Sequence, residues 1–296
     1  MRVQGSERVS EVSVSLILIF MAPPPSTTAE YRALHDLAVA VAEEAAALLL
    51  SNLHGTRSVD SKTSPTDAVT EMDRASEALI VHRLLAARPE DGLLGEEGAS
   101  REGTSGVRWV IDPLDGTVNY LYRRAAFAVS IAAEVDGQPV AGVVVDVQTR
   151  ETFHAWLGGG AWLNDARIHT SDIATLDRTL VGTGFDYVPE HRRRQGAMLA
   201  EIIDVVRDIR RAGSAALDMC AVACGRLDAY YERGPHWWDA AAGSLIVREA
   251  GGVAEALHPP VLPEGAWAID TWIASAPAVA ADFRALIVRA ARAAEA

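Results

Sequence analysis

Cysteine is scarce in this sequence of 296 residues, because Cys220 and Cys224 are the only two. Two cysteines exclude a disulfide scaffold and a zinc site made of four thiolates. Their spacing of four residues suits one face of a helix. We therefore expect both thiols to pack as small hydrophobic side chains.

Positive charge is also in short supply. Lys and Arg number 27 against 40 Asp and Glu, which gives a net charge of −13. Contacts to a phosphate backbone need an excess of Lys and Arg, so the composition argues against a general nucleic-acid binder. The arginines at 192–194 and 210–211 predict a solvated surface, with phosphate steering or a subunit contact as the alternatives.

Long hydrophobic runs are missing. The apolar run from Val12 to Ala22 is shorter than the roughly 20 residues that a transmembrane helix needs. Glu7 and Glu11 stand where a signal peptide carries basic residues. We interpret residues 1–28 as a disordered extension arising from an over-long start, with a signal or anchor as the alternative. No other segment approaches membrane-spanning length, so we expect a cytoplasmic protein without a membrane partner.

Helical and strand patterns alternate along the rest of the chain, which indicates an α/β fold. The turn pair Asp136-Gly137 predicts a hairpin between two apolar strands. The other main predictions are helices over 28–49, 70–87, 195–208, 214–224, 240–250 and 278–293 and strands over 107–111, 180–183, 229–232 and 272–275. A change in the sequence pattern near 171–177 divides the chain into an N-terminal α+β half, 29–170, and a C-terminal α/β half, 171–296.

Three acidic clusters carry the candidate chemistry, and WVIDPLDGT at 109–117 is the most informative. Pro113 disfavours a helical conformation at Asp112, so Asp112 and Asp115 are predicted to flank a tight turn with both carboxylates on one side. Gly116 and Thr117 then offer backbone N–H groups to an anion. Two carboxylates beside such donors suit Mg²⁺ and a phosphate, although a turn with solvated acids has the same pattern.

The other two clusters are weaker by themselves. GEEG at 95–98 resembles a solvated loop, and Asp239 could simply cap a helix that starts at Ala240. The ordered combination of the three clusters with KTSPTDAVTEMD at 62–73 and EAGG at 249–252 is far more specific. This set resembles the inositol monophosphatase family, in its bacterial inositol-1-monophosphatase type, from Glu30 to Ala293.

The resemblance implies a layered αβαβα sugar-phosphatase fold with the metal site where the two halves meet. It implies two to three Mg²⁺ ions, lithium sensitivity and a homodimer. The first ion would be bound by Glu96, Asp112 and the Leu114 carbonyl, and the second by Asp112, Asp115 and Asp239. A third, weaker ion would lie near Glu96.

Catalytic and substrate-binding roles are implied in the same way. Asp73 and Thr117 would activate the attacking water beside the metal ligand Glu96, with Glu97 and Lys62 as supporting groups. The phosphate would be bound by the N–H groups of Gly116 and Thr117. The sugar hydroxyls would contact Asp115, the Ala215 N–H and Glu232, although Glu232 could also be a surface acid.

The expected function is therefore Mg²⁺-dependent hydrolysis of myo-inositol monophosphate by a metal-activated water. Hydrolysis of histidinol phosphate, adenosine 3′,5′-bisphosphate or fructose bisphosphate is the alternative within the enzymes. A protein-binding regulator with residual phosphatase activity is the alternative from another class. The partners we expect are a small phosphate ester and a second copy of the chain.

Overall fold

The structure is a computed structural model that describes residues 26–55, 59–61, 68–258 and 270–295. The run Val12–Ala22, Met21 and Lys62 lie outside the described residues. The end of the expected disordered extension is ordered, because the Thr27 hydroxyl accepts a hydrogen bond from the Glu30 N–H and the Glu30 carboxylate accepts one from the Thr27 N–H. Ordered structure therefore begins before residue 29, as a capping box would predict.

The described part of the chain contains seven α-helices. They are α1 (Thr28–Ser51), α2 (Glu71–Ala87), α3 (Thr117–Tyr122), α4 (Pro189–Ala200), α5 (Ala215–Ala223), α6 (Trp237–Glu249) and α7 (Ala280–Ala293). Among the described residues, no helix is both long enough and apolar enough to cross a membrane.

Fifteen strands accompany these helices in the described residues. They are β1 (Val59–Ser61), β2 (Ala68–Thr70), β3 (Gly92–Gly95), β4 (Ser100–Arg101), β5 (Val107–Asp115), β6 (Ala128–Val135), β7 (Gln138–Asp146), β8 (Glu151–Trp156), β9 (Gly160–Leu163), β10 (Ala166–Arg167), β11 (Leu180–Thr183), β12 (Asp208–Arg210), β13 (Ala229–Arg233), β14 (Val253–Leu257) and β15 (Thr271–Ser275).

Two large sheets organise the molecule. The first has eight strands in the order β10-β9-β8-β7-β6-β5-β3-β4, all antiparallel except for the pair β3–β5. The second has five strands in the order β12-β11-β13-β15-β14, and β11 is parallel to both of its neighbours. The predicted hairpin is confirmed, since Asp136 and Gly137 both have positive φ between β6 and β7, as the favoured two-residue hairpin turns require.

The sheets and helices alternate in five layers, which confirms the αβαβα fold. Helices α1 and α2 cover one face of the eight-stranded sheet. Helices α5 and α6 lie between the two sheets, and apolar side chains of both sheets surround them. Helices α4 and α7 cover the outer face of the five-stranded sheet. Each helix thereby buries its apolar stripe, which is what makes such layers stable.

Three elements differ from the sequence-based expectations. Helix α4 spans Pro189–Ala200 rather than 195–208, because Pro189 occupies the first helical position and its fixed φ favours a helix start there. Helix α6 begins at Trp237, three residues before the predicted start, so Asp239 lies within its first turn. Strand β5 continues past Ile111 to Asp115.

Candidate active site

A β-bulge near the end of β5 brings two carboxylates to one face of the sheet. Asp112 pairs with Ser130 of β6 and Asp115 pairs with Ala128, so three residue steps on β5 oppose two on β6. In a regular strand, residues 112 and 115 would face opposite sides of the sheet, and the extra residue places them on the same side. Asp112 and Asp115 therefore flank a bulge, and not the tight turn that the sequence predicted.

Two further carboxylates reach this face from neighbouring elements. Glu96 directly follows β3, and its N–H donates to the carbonyl of Ile111 at 3.1 Å, which places it beside Asp112. Asp239 lies in the first turn of α6, where its carboxylate accepts the His236 N–H at 2.5 Å. The Ser130 hydroxyl, opposite Asp112, donates to the carbonyl of Trp238 at 3.4 Å and so ties α6 to β6.

The four carboxylates repel one another in a partly dehydrated environment. Burial raises the pKa of Asp112 well above its ordinary value, and repulsion from Glu96, Asp115 and Asp239 raises it further. Burial and repulsion from Asp115 and Glu96 also raise the pKa of Asp239. Burial raises the pKa of Asp115 to about 6, against hydrogen bonds from Ser214 and Ala216 that lower it. Such a concentration of negative charge attracts cations.

The donor set consists of hard oxygen atoms, which is the ligand chemistry of Mg²⁺. The Asp239 carboxylate is close enough to Asp112 to raise the pKa of that buried group by charge repulsion. Among the described residues, no three acidic, histidine or cysteine side chains already enclose a point suited to a metal ion. A cation bound among these carboxylates would relieve their mutual repulsion, so the donor set fits a divalent ion.

Thr117 and Asp73 form a hydrogen-bonded pair at the edge of the carboxylate cluster. The Thr117 hydroxyl donates to Asp73 Oδ1 at 2.8 Å and lies 3.1 Å from the Leu114 carbonyl. A hydroxyl has only one proton to donate, so it can serve one of these acceptors fully at a time. Asp73, in the first turn of α2, and Thr117, the first residue of α3, are both buried.

Asp115 connects the cluster to the five-stranded half of the molecule. Its Oδ2 accepts the Ser214 hydroxyl at 2.6 Å and the Ala216 N–H at 2.8 Å. Ser214 is also the N-cap of α5, and Ala215 is the first residue of that helix. Asp115 and Ala215, for which the family resemblance implies contacts to the same ligand, are thus brought together.

Glu232 lies on β13 and extends the cluster on that side. It accepts the Tyr230 hydroxyl at 2.9 Å, and burial raises its pKa to about 7. Its carboxylate packs against Gly184, where a Cβ atom would come within 2.0 Å of it. Glu232 is therefore half-buried and not the exposed surface acid of the alternative interpretation.

Gly116 is required at the junction between β5 and α3. Its φ is +89°, and a Cβ atom there would lie 2.7 Å from the carbonyl oxygen of Ala126. A side chain would therefore meet both backbone strain and a clash. The glycine allows the chain to turn directly from Asp115 into α3.

Sequence reasoning missed three side chains that hold this site together. Ser76 and Glu77 of α2 and Ser214 before α5 all make hydrogen bonds to the segments that carry the carboxylate cluster. Ser76 and Glu77 have one signal in the sequence, which is that they follow Asp73 by three and four residues and so share a helix face with it. Lys62, expected as a supporting group, lies outside the described residues.

Comparison with known proteins gives consistent matches. The sequence pattern described as "Inositol monophosphatase family" matches residues 30–292. "Inositol-1-monophosphatase SuhB" of Mycobacterium tuberculosis is 48% identical over 206 residues, which cover 67% of this chain and 71% of that protein. The solved structure of M. tuberculosis SuhB has a TM-score of 0.74 at 40% identity and covers 88% of this chain and 97% of that one.

Two further relatives bear on function. "Nus factor SuhB" of Escherichia coli is 40% identical over 221 residues, which cover 74% of this chain and 83% of that protein. The structure of SaIMPase-II with bound inositol monophosphate has a TM-score of 0.70 at 27% identity and covers 87% of this chain and 94% of that one. The same protein with bound 2′AMP has a TM-score of 0.71 at 28% identity, with 87% and 95% covered.

Proposed function

The chain belongs to the inositol monophosphatase family and is a phosphatase, and from this premise we propose that it hydrolyses myo-inositol monophosphate in a Mg²⁺-dependent reaction. The observation that carries the proposal is the convergence of Glu96, Asp112, Asp115 and Asp239 in one partly buried, mutually repelling cluster. Cleavage of a phosphate ester needs strong positive charge at this place, and the four side chains of the cluster supply only negative charge.

Each residue of the cluster has a place in this proposal. Glu96, Asp112 and the Leu114 carbonyl would hold one Mg²⁺, and Asp112, Asp115 and Asp239 a second, with a third and weaker ion near Glu96. When bound, the ions neutralise the phosphate oxygens and lower the pKa of a water molecule. The N–H groups of Gly116 and Thr117 would bind the phosphate.

Thr117 and Asp73 would move the proton of the attacking water. The Thr117 Oγ1 atom accepts a proton from the water while its own proton passes to Asp73 Oδ1, which lies 2.8 Å away. The Leu114 carbonyl, the other neighbour of this hydroxyl, is then free to face a cation. The pair is therefore suited to general-base catalysis.

Substrate choice would depend on the wall formed by Asp115, Ala215 and Glu232. Carboxylate acceptors and an N–H donor suit the vicinal hydroxyls of a polyol. The relative that binds inositol monophosphate supports this ester, and the same relative with 2′AMP supports a wider range of small phosphate esters as the alternative.

Phosphate release is the direct test of this function. The protein is incubated with inositol 1-phosphate, histidinol phosphate, adenosine 3′,5′-bisphosphate, fructose 1,6-bisphosphate and 2′AMP, each with Mg²⁺ and with a chelator. We expect release from inositol 1-phosphate to be the fastest and to require Mg²⁺. Metal-independent release, or a strong preference for another ester, would contradict the proposal.

A second, regulatory role is the alternative that the E. coli relative supports, because its name is that of a Nus factor. Capture of transcription-elongation proteins by the immobilised chain would favour it.

We further propose a homodimer in the cytoplasm, where Cys220 and Cys224, both free thiols, would stay reduced. Light scattering coupled to gel filtration measures the oligomeric state.

A further inference from the structure

Helix α2 presents three buried polar side chains on one face, toward the carboxylate cluster. Asp73, Ser76 and Glu77 are at most 7% exposed, and their spacing places them next to one another on the helix. Each accepts or donates a hydrogen bond to a different part of the site. Asp73 contacts Thr117, and Ser76 donates to the carbonyl of Pro113 at 2.9 Å.

Glu77 contacts the segment that carries Glu96. Its Oε2 accepts the Glu97 N–H at 2.9 Å, and its Oε1 accepts the Ala99 N–H at 3.0 Å. Gly95, on the other side of Glu96, leaves room for this carboxylate, since a Cβ atom there would lie 2.2 Å from Glu77 Oε2. The carboxylate of Glu77 thus holds the backbone directly after Glu96, on both sides of Gly98.

We propose that Glu77 is a positioning residue that sets the affinity of the first metal site by fixing Glu96. A carboxylate that accepts two N–H groups makes two charge-assisted hydrogen bonds, which restrict the backbone more than neutral ones do. Because α2 also holds Thr117 and the segment containing Pro113, the helix aligns Glu96 with the end of β5. The inference rests on the proposed function, since it concerns how the same site binds Mg²⁺.

The substitution Glu77→Gln separates positioning from packing. Glutamine has the same shape, but it offers one acceptor oxygen and places an NH₂ group against the second N–H. Outer hydrogen bonds of this kind change metal affinity by about 10–100-fold when they are removed. We expect the dissociation constant for Mg²⁺ to rise by about that factor.

Glu249 provides a matched control. Its carboxylate also accepts two backbone N–H groups, those of Gly158 at 2.9 Å and Gly160 at 2.8 Å, in the turn between β8 and β9. Glu249 and Asp239 lie ten residues apart on α6, which corresponds to about 15 Å along the helix. Glu249→Gln removes the same kind of interaction far from the cluster.

The experiment measures Mg²⁺ binding by titration calorimetry and the melting temperature of the metal-free protein, for the wild type and both variants. We expect weakened Mg²⁺ binding only in Glu77→Gln. Both variants should show a similar small loss of melting temperature. At saturating Mg²⁺, Glu77→Gln should recover the wild-type kcat with an unchanged substrate KM. Equal Mg²⁺ affinity in Glu77→Gln and wild type overturns the inference, whereas a wild type that binds no Mg²⁺ overturns the proposed function instead.

Gly95→Ala tests the same contact from the other side and decides the matter if Glu77→Gln does not fold. The added methyl group displaces the Glu77 carboxylate from the turn while Glu77 itself remains. We expect Mg²⁺ binding to weaken by at least about 10-fold. Wild-type affinity in a folded Gly95→Ala protein overturns the inference.

Discussion

Asp112 is the most deeply buried carboxylate of the cluster, with 1% of its surface exposed, and three other acids raise its pKa. Its contribution to the metal-free protein is therefore unfavourable, since burial and repulsion both oppose its charge. Function, and not stability, explains such a residue at the end of β5. The same conclusion applies to Asp239, which interacts with the same acids.

Asp112→Asn is expected to lower Mg²⁺-dependent phosphate release by at least about 100-fold, since it removes a proposed metal ligand. The loss of a hydrogen bond that only orients a metal ligand already lowers metal affinity or activity by up to about 100-fold. The melting temperature of the metal-free protein should stay equal or rise, because repulsion is relieved. Asp91→Asn is the control, as Asp91 is equally buried but is paired with Arg88 and Trp109. It should lose stability and keep its activity.

Thr117→Ala is expected to lower kcat by about 10–100-fold, the usual effect of removing a side chain that supports a metal site without binding the metal. The Mg²⁺ dissociation constant should stay near the wild-type value. The variant lacks the hydroxyl that lies between Asp73 and the attacking water, but every proposed metal ligand remains. Thr117→Ser keeps the hydroxyl and should keep most of kcat. Normal turnover in Thr117→Ala would remove Thr117 from the proposed mechanism.

At the scale of elements, a pair of histidines connects α1 to β8. His35 Nε2 and His154 Nδ1 lie 2.8 Å apart, and His154 Nε2 lies 2.9 Å from the Asn164 carbonyl. With His154 Nε2 protonated toward that carbonyl, its Nδ1 can accept a proton from His35 Nε2, and the Asp36 carboxylate, 2.9 Å from His35 Nδ1, competes for the single proton of the neutral His35 ring. Burial lowers the pKa of both rings, although the neighbouring Asp36 raises that of His35.

This pair predicts a loss of stability in mild acid. Because the folded-state pKa values are lowered, the unfolded chain binds protons first, so the stabilisation is complete above about pH 6.5 and is lost as the pH falls below it. His35→Gln should reduce the slope of unfolding free energy against pH by up to about 1.4 kcal/mol per pH unit. Urea unfolding between pH 5 and 8 measures the slope, with the exposed His82→Gln as the control.

At the scale of the whole molecule, the cluster lies where the eight-stranded sheet, the middle helix layer and the edge of the five-stranded half meet. Asp115 is bonded to Ser214 and Ala216, which precede and begin α5. No single half of the chain therefore contains the complete site. The division at 170/171 stays a prediction about independent units, and the contacts of Asp115 cross it.

A site with several cations of unequal affinity predicts a bell-shaped dependence of the rate on Mg²⁺. The second ion, held by Asp112, Asp115 and Asp239, would have to leave for phosphate to be released, so excess Mg²⁺ should inhibit. Li⁺ prefers the same hard oxygen ligands with half the charge and should inhibit uncompetitively with respect to substrate. Steady-state kinetics at several concentrations of both ions test this, and monotonic activation without a Li⁺ effect would contradict it.

A chain that starts at Met21 is expected to keep the melting temperature and activity of the full chain. Helix α1 has its own cap at Thr27, with Glu30 completing the capping box, so its first turn needs no preceding residues. Calorimetry and phosphate release compare the two chains. An inactive or unstable short chain would show that residues 1–20 contribute to the fold.

The amino-acid sequence by itself determined the local features of this protein. The hairpin at Asp136-Gly137 and the order of the acidic motifs depend on neighbouring residues, so they can be predicted from one stretch of chain. The family and the layered fold were predicted because these motifs occur in a specific order. The positions of Glu96, Asp112, Asp115 and Asp239 as candidates came from the same source.

Only the tertiary structure decided how these candidates meet. The bulge in β5 exists because β6 pairs on both sides of it. The roles of Ser76, Glu77 and Ser214 also depend on partners that lie 20 to 99 residues away along the chain. A hydrogen bond or a raised pKa depends on distance and burial in three dimensions, and neither quantity is contained in the local sequence pattern.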